Sequence, residues 1–346
     1  MDPLSHAVLG RAVIGALAGP DVSAREPRGR GVGAAAILGA LSPDIDFVMM
    51  PAGWDIYLRA HAAGTHSIAG AIVTGLGSAV LIRVCARNSA LPHLSRAAVI
   101  GAMTHLVGDI VSGARLQLAW PLMDHPLSLP LVAMGDPWTI GILVVGAWAM
   151  WRQRQRLTRA ARLTVLALTL FLVFKAAMLA TILPKTGTPS AGTGSDRMVE
   201  ARWASLTDWF VYDRVAGRLR QRLITRRSAE PRLLLAIDVP AGTASIRQSQ
   251  SLQAVRNFLA VHELAFPVER MESNGHRSVL WSDIRFCWRE DERGTAGSAL
   301  RRTLRRSREP VQAPSCALWF GGVFNAEGRP IGQEVHVGSW IQRRAP

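Results

Sequence analysis

Long apolar stretches fill the first half of the chain and stop near residue 184. They run over 7–19, 31–49, 67–82, 97–112, 137–151 and 163–183, with short polar segments between them. A helix needs about 20 mostly apolar residues to cross the hydrocarbon of a bilayer, so the pattern predicts five to six membrane spans. The last stretch, LTVLALTLFLVFKAAMLATIL, is the clearest. The first four are shorter and rich in Gly, Ala and Ser, the small residues that let helices approach closely in lipid.

Beyond 184 the pattern changes, and no span-length run follows. Residues 185–198 have the Gly, Pro, Ser and Thr content of a linker. LLLAIDV at 233–239 has the apolar composition of a strand. LAFPVERME, then Ser273-Asn274-Gly275, then HRSVLWSDIRFCW predicts a hairpin with an Asn-Gly turn. CALWFGGVFNAEGRPIGQEVHVGSW predicts a second, turning near Glu327-Gly328. A short amphipathic helix is expected within 199–227. Trp281, Trp288, Trp319 and Trp340 are expected as core residues or membrane-interface anchors. The fold class is therefore mainly α: a polytopic helical membrane bundle of about five to six spans over 1–184, a linker over 185–198, and a smaller soluble, β-rich domain over 199–346.

Charge sharpens this division. The formal net charge is +15, and residues 185–346 hold 25 Lys/Arg against 16 Asp/Glu, densest at Arg301–Arg308. That tract suits anionic lipid or a solvated loop; no specific nucleic-acid partner is expected. Loops 20–30, 83–96 and 152–162 together carry 11 arginines, whereas 50–66 and 113–136 carry only Arg59 and Arg115. The positive-inside rule puts the rich loops in the cytoplasm, so the N-terminus and the C-terminal domain are expected outside. The N-terminus lacks a basic n-region and a small-residue cleavage site, so Asp2 and His6 are expected to be retained. Cys85, Cys287 and Cys316 have no metal or redox spacing; a Cys287–Cys316 disulfide would require an oxidising compartment.

Against the apolar background stand imidazoles and carboxylates: His6, Asp44 and Asp46 in SPDID, His61 and His66 in HAAGTHS, His105 and Asp109 in THLVGD, and Asp124-His125. The predicted topology puts all of them at the outer ends of their spans. Ionisable groups within a membrane are costly and usually functional. His105 and Asp109 are four apart and share a helix face, which suits two ligands of one metal or a buried His–Asp hydrogen bond. Asp44 and Asp46 repel each other unless a cation neutralises them; otherwise they cap a helix and face solvent. His61 and His66 fit ligands or surface groups equally. His and Asp are standard ligands of hydrolytic zinc, and a metal would acidify water and polarise an ester oxygen. His6, Asp44, Asp46, His61, His66, His105 and Asp109 are together the candidate ligands and acid–base groups, and not all of them need touch the metal. Arg115, Trp120, Asp124 and His125 are candidate substrate contacts. Zinc, one to three ions, is the expected cofactor, with manganese or iron as alternatives; spacing leaves the number open. The chain has no Gly-x-Ser-x-Gly, Walker or His-Glu-x-x-His motif. A transporter, or an inactive membrane binding protein using the same cluster, is the rival reading.

In order, MDPLSHAVLG, GALSPDID, HAAGTHS, THLVGD with Ala119-Trp120-Pro121-Leu122, and Gly135-Asp136-Pro137-Trp138 resemble the membrane-bound metal-dependent hydrolases of the LexA-binding, inner-membrane-associated type. The likeness covers residues 1–140, with a fainter continuation at 279–286. It implies a bacterial inner-membrane location and a hydrolase acting on an ester or phosphoester, which could be a lipid-linked or other small molecule. The order His, Asp, His, His-x-x-x-Asp is also similar to zinc-dependent phospholipase C and P1-type nucleases. That likeness implies His6, Asp44 or Asp46, His61, His105 and Asp109 as ligands, with Asp109 bridging. It leaves Asp46 and His66 as the expected catalytic groups, His66 being a further ligand or an acid–base group. Relatives tend to read His-Arg-Gly-x-Thr-His where this chain has His61-Ala62-Ala63-Gly64-Thr65-His66, and lack Ser112 and Arg115. The substitution removes an anion clamp.

Overall fold

The computed structural model describes residues 1–18, 31–85, 90–186, 197–228, 230–240, 242–272, 275–288 and 315–345. The arginine tract 301–308, most of the linker, loop 20–30 and the Ser273-Asn274 turn lie outside the described residues. The chain divides into two compact units: 1–48, 60–184 and 200–209 form the first, and 49–59, 185–199 and 210–346 the second.

The first unit is helical. Its helices are α1 (Pro3–Leu17), α2 (Val32–Leu41), α3 (Trp54–His61), α4 (Ile68–Cys85), α5 (Leu91–Val111), α6 (Pro137–Arg152) and α7 (Leu157–Ile182), with α3 shared between the units. A 3-10 segment, Ser42–Ala52, continues α2. Among the described residues four segments are long and apolar enough to cross a membrane: Val32–Ala52, Ile68–Cys85, Leu91–Val111 and Leu157–Thr186. α1 and α6 are shorter, at 15 and 16 residues, so the expectation of five to six spans is met for four. Asp2 and Asp136 cap α1 and α6, accepting from the backbone N–H of Ser5 and Thr139, and each is followed by Pro at the first helical position.

α5 is the most enclosed candidate span, and α4 and α7 the least. On α4, Val73, Val80 and Val84 are exposed; on α7, Leu163, Leu170 and Val173 are. Such residues face lipid in a bilayer and need no protein partner. Small side chains replace a large core: Ala35, Ala36, Ala79, Ala97 and Ala98 pack around Leu94. Two glycines set the α2–α5 distance. A Cβ at Gly39 would lie 2.1 Å from the Ala98 carbonyl oxygen, and one at Gly101 2.2 Å from that of Ala36. Only backbone-to-backbone contact of this kind brings a side chain of α5 within reach of an α2 carbonyl. Lys175, buried in α7, donates to the Ser205 carbonyl at 2.9 Å and sits 4.3 Å over the Trp209 ring, which offsets the cost of a buried ammonium.

The second unit is built mainly of strands. Strands β1 (Arg197–Ala201), β2 (Trp209–Val215), β3 (Arg218–Ile224) and β4 (Arg232–Asp238) form a four-stranded sheet in that order. The helix expected within 199–227 is corrected by this sheet. Arg218-Leu219-Arg220-Gln221-Arg222-Leu223 alternates with period two, burying Leu219, Gln221 and Leu223, and that is a strand pattern. Two short helices, α8 (Ala244–Ser249) and α9 (Gln253–Leu259), precede the second sheet. That sheet holds β5 (Ala265–Met271), β6 (Arg277–Asp283), β9 (Leu318–Phe324), β10 (Pro330–Val337) and β11 (Trp340–Arg344), in the order β11-β10-β9-β6-β5. Both expected hairpins are present: β5 pairs antiparallel with β6, and β10 with β9, with Gly328 at φ +79° in the connecting turn. Trp281 and Trp319 are core residues, and Trp340 is exposed. The short strands β7 (Cys287–Trp288) and β8 (Ser315–Cys316) are joined by a Cys287–Cys316 disulfide.

Candidate metal centre

Helix ends and two tight segments bring the imidazoles and carboxylates of the first unit together. His6 comes from the first turns of α1, and His105 and Asp109 from one face near the end of α5. Asp44 and Asp46 come from the 3-10 segment, His61 from the end of α3, and His66 from a one-turn 3-10 helix, Gly64–His66. Gly64 sits at φ +44°, in the left-handed region that favours glycine. The turn it opens carries His66 into full burial, while the His61 side chain stays 29% exposed.

At the centre His66 Nε2 and His105 Nε2 lie 3.1 Å apart. Asp44 Oδ1 is 3.5 Å from each of them. On their other shared edge, Asp109 Oδ2 lies 3.1 Å from His105 Nε2 and 3.6 Å from His66 Nε2. Zinc–ligand bonds of 2.0–2.1 Å make a tetrahedron with edges of about 3.3–3.4 Å. Each triangle, His66–His105–Asp44 and His66–His105–Asp109, thus has the dimensions of one face of a zinc site.

The surroundings aim these atoms. The Nδ1 of His105 lies 2.7 Å from the Ala40 carbonyl oxygen, which can accept only if Nδ1 carries the proton. That leaves Nε2 as the lone-pair atom facing the centre. His66 Nδ1 lies 3.3 Å from Asp46 Oδ2, which also accepts from Thr65 Oγ1 at 3.0 Å and lies 3.0 Å from His61 Nδ1. His6 stacks on His105 with ring centroids 3.7 Å apart, and its Nε2 is 3.2 Å from Asp109 Oδ1. The amino group of Met1 also donates to Asp109 and, at 3.2 Å, to Ser112 Oγ. Burial lowers the proton affinity of His66, but Asp44 and Asp46 outweigh it and raise its pKa to about 9.

Three overlapping groups of potential ligands result: His6, His105 and Asp109; Asp44, His66 and His105; and Asp46, His61 and His66. Two buried polar atoms in them, His6 Nδ1 and Asp46 Oδ1, have no hydrogen-bond partner among the described residues. Buried polar atoms are rarely left so, and the donor set fits a divalent cation. All seven histidines and aspartates expected as ligands or catalytic groups therefore converge. The other expected residues do not join them. Trp120, Asp124 and His125 are exposed and Arg115 is half-buried, all on the 113–136 segment, and none belongs to a potential ligand group. Sequence reasoning passed over Thr65 and the Ala40 carbonyl. Thr65 sat inside the HAAGTHS motif; a backbone carbonyl leaves no signal in a sequence.

A model of the YdjM inner membrane protein family matches residues 1–182. The chain belongs to this family. The YdjM match contains every residue of the centre, and with the four candidate spans it makes the protein a multi-pass inner-membrane protein. The YdjM likeness is to an inner-membrane family; it carries no hydrolase or nuclease likeness. No curated protein and no solved structure matches the chain.

Proposed function

We propose that the protein is a membrane-bound metal-dependent hydrolase, with His66, His105, Asp44 and Asp109 holding a divalent cation, zinc by preference. The observation that carries this reading is the set of five separations, 3.1–3.6 Å, among two carboxylate oxygens and two imidazole nitrogens, the imidazoles being already aimed by outer hydrogen bonds. Zinc in such a set supplies Lewis acidity toward an ester oxygen and makes water more acidic near neutral pH. The chain's own residues do the rest. Asp46 and Thr65 fix the tautomer of His66, so the role expected of His66 as a catalytic group passes to ligation and that of Asp46 to orientation. His6 holds the second oxygen of Asp109. His61, the most exposed imidazole of the set and hydrogen-bonded to Asp46, exchanges the proton between substrate and solvent. An ester, and best a phosphoester, is the substrate class that this chemistry serves.

The positive-inside count of 11 arginines against two supports placing the centre and the second unit on the outer side, with α1 and α6 completing six spans. The Cys287–Cys316 disulfide fits that oxidising side. Metal analysis of the purified protein tests the ligand set: wild type should carry at least one zinc per chain, and His105→Ala should lose it while remaining inserted and folded. Unchanged metal content in His105→Ala would remove the basis of the reading. For the topology, Ala63→Cys should react with a membrane-impermeant maleimide from the outside of cells; reaction only in inverted vesicles would reverse it.

A further inference from the structure

Among the seven histidines and aspartates of the centre, the side chains most open to the surface are Asp44 (18% exposed) and His61 (29% exposed). What surrounds that opening is apolar. On the 3-10 segment, buried Asp46 and half-buried Asp44 alternate with exposed Ile45, Phe47 and Val48. On the other side runs the strap between α5 and α6, which exposes Trp120, Leu122 (88%), Met123, Leu127, Leu129 and Met134. Residues 61–68 join the two: Asp46 holds His61 and Thr65, while the backbone N–H of Gln117 donates to Ala62 and that of Ile68 to Leu118, both carbonyls, at 3.0 Å. The strap is fixed to the end of a membrane span, since Leu129 N–H donates to the Ile110 carbonyl, and Leu131 and Val132 N–H to that of Val111.

We infer that this apolar rim lies within the lipid layer, so that the metal centre opens to the bilayer and takes a membrane-resident amphiphile whose head-group ester reaches it laterally. The inference deepens the hydrolase reading and rests on it for the word substrate. Three observations carry it. Large exposed apolar groups crowd within 15 residues of strap, where a water-facing loop would be polar. The rim is continuous with helices already assigned to the membrane. Trp120 with the exposed Asp124-His125 pair supplies the mix of aromatic and polar groups that settles at head-group depth. A soluble ester would have to pass this rim from water, against the chemistry of the surface; a lipid head group arrives with its ester already at the depth of Asp44.

The test uses the full chain, reconstituted in vesicles of phosphatidylethanolamine and phosphatidylglycerol, with Cys85→Ser as background. Nitroxide labels go on Val48→Cys and Leu122→Cys, with Asp238→Cys, whose side chain is 78% exposed, as the water-facing control. At both rim positions, collision with molecular oxygen should exceed collision with a water-soluble nickel chelate several-fold, and the ratio should invert at 238. Chelate-dominated relaxation at either rim position would overturn the inference. Zinc content is measured on the same samples. Lipid-facing labels without zinc would sink the hydrolase reading and leave the rim where it is; water-facing labels with zinc bound would do the reverse.

Discussion

Both units bury carboxylates, and they neutralise them differently. In the second unit each buried aspartate among the described residues faces an arginine. Asp283 forms a two-point pair with Arg285, Asp213 accepts from Arg220 and Arg222, and Asp55 accepts from Arg344 and from the amide of Asn257. The charge balances inside the protein, and the pairs look like struts between strands and helices. In the first unit Asp44, Asp46 and Asp109 face imidazoles instead, and among the described residues the one fixed cation touching them is the Met1 amino group on Asp109. Imidazoles are neutral or charged as needed, and their lone pairs are metal donors; guanidinium has none. The same problem of a buried negative charge is answered once by a permanent partner and once by groups that leave room for a removable one.

The sharpest way to break this comparison is to remove one carboxylate from each unit. Asp283→Asn leaves the Arg285 guanidinium buried against a neutral amide, and breaking a buried pair costs about 3–5 kcal/mol. The loss should appear as a lower unfolding temperature of the second unit, with zinc content unchanged. Asp109→Asn should abolish tight zinc binding. It also weakens the hold on the Met1 amino group, so the zinc-free protein should lose some stability, but less than Asp283→Asn loses, since the amide oxygen still accepts from that amine. If Asp109→Asn unfolds the bundle and Asp283→Asn lowers zinc, the two clusters have been assigned the wrong way round.

Acid separates them next. His262, stacked on Phe258 at 4.2 Å, is held down to a pKa of about 4 by burial and then by the charge of Arg285. Its unfolded value is about 6.5, so the folded state disfavours the proton. The stability it confers is complete above pH 6.5 and is lost as pH falls from about 6.5 to 4, by about 3 kcal/mol in all. Urea titrations at pH 7 and pH 4.5 should show this loss, and His262→Gln should flatten it. Zinc should also leave the first unit on acidification, because protons compete with the metal for imidazole; that release should be the same in His262→Gln. A shared response to the substitution would mean that the two titrations are one event.

Legibility in the sequence followed the range of the interactions. The pairing of His105 with Asp109 needed only the helical repeat, and the β5–β6 hairpin only two strands of matching length around a turn. Strand β3 was readable too, since its Arg–Leu alternation is local, but helix-like composition hid it. What could not be read were contacts made by chain reversal. The β6–β9 pairing, Val279 opposite Gly322, joins the two hairpins across a long intervening segment. The split of roles between His61 and His66 depends on one left-handed glycine, and the hold of Ala40 on His105 depends on how closely Gly39 and Gly101 let two helices approach.

Asp46→Asn tests the smallest effect and the finest distinction, between a group that binds the cation and one that aims a ligand. Asn keeps the size of Asp and can still accept from His66 Nδ1 and Thr65, so the tautomer of His66 survives. What goes is the negative charge behind the imidazole, which raises its basicity as a donor. Groups of this kind change metal affinity by about 10–100-fold, well short of the loss expected for Asp109→Asn. Competition with a chelator of known zinc affinity reads the difference directly. An effect as large as that of Asp109→Asn would make Asp46 a ligand through its unpartnered Oδ1, and would move the ion toward the third group, with His61 and His66. No effect at all would leave the hydrogen bond to His66 as packing, and the aim of that imidazole would then rest on the 3-10 turn alone.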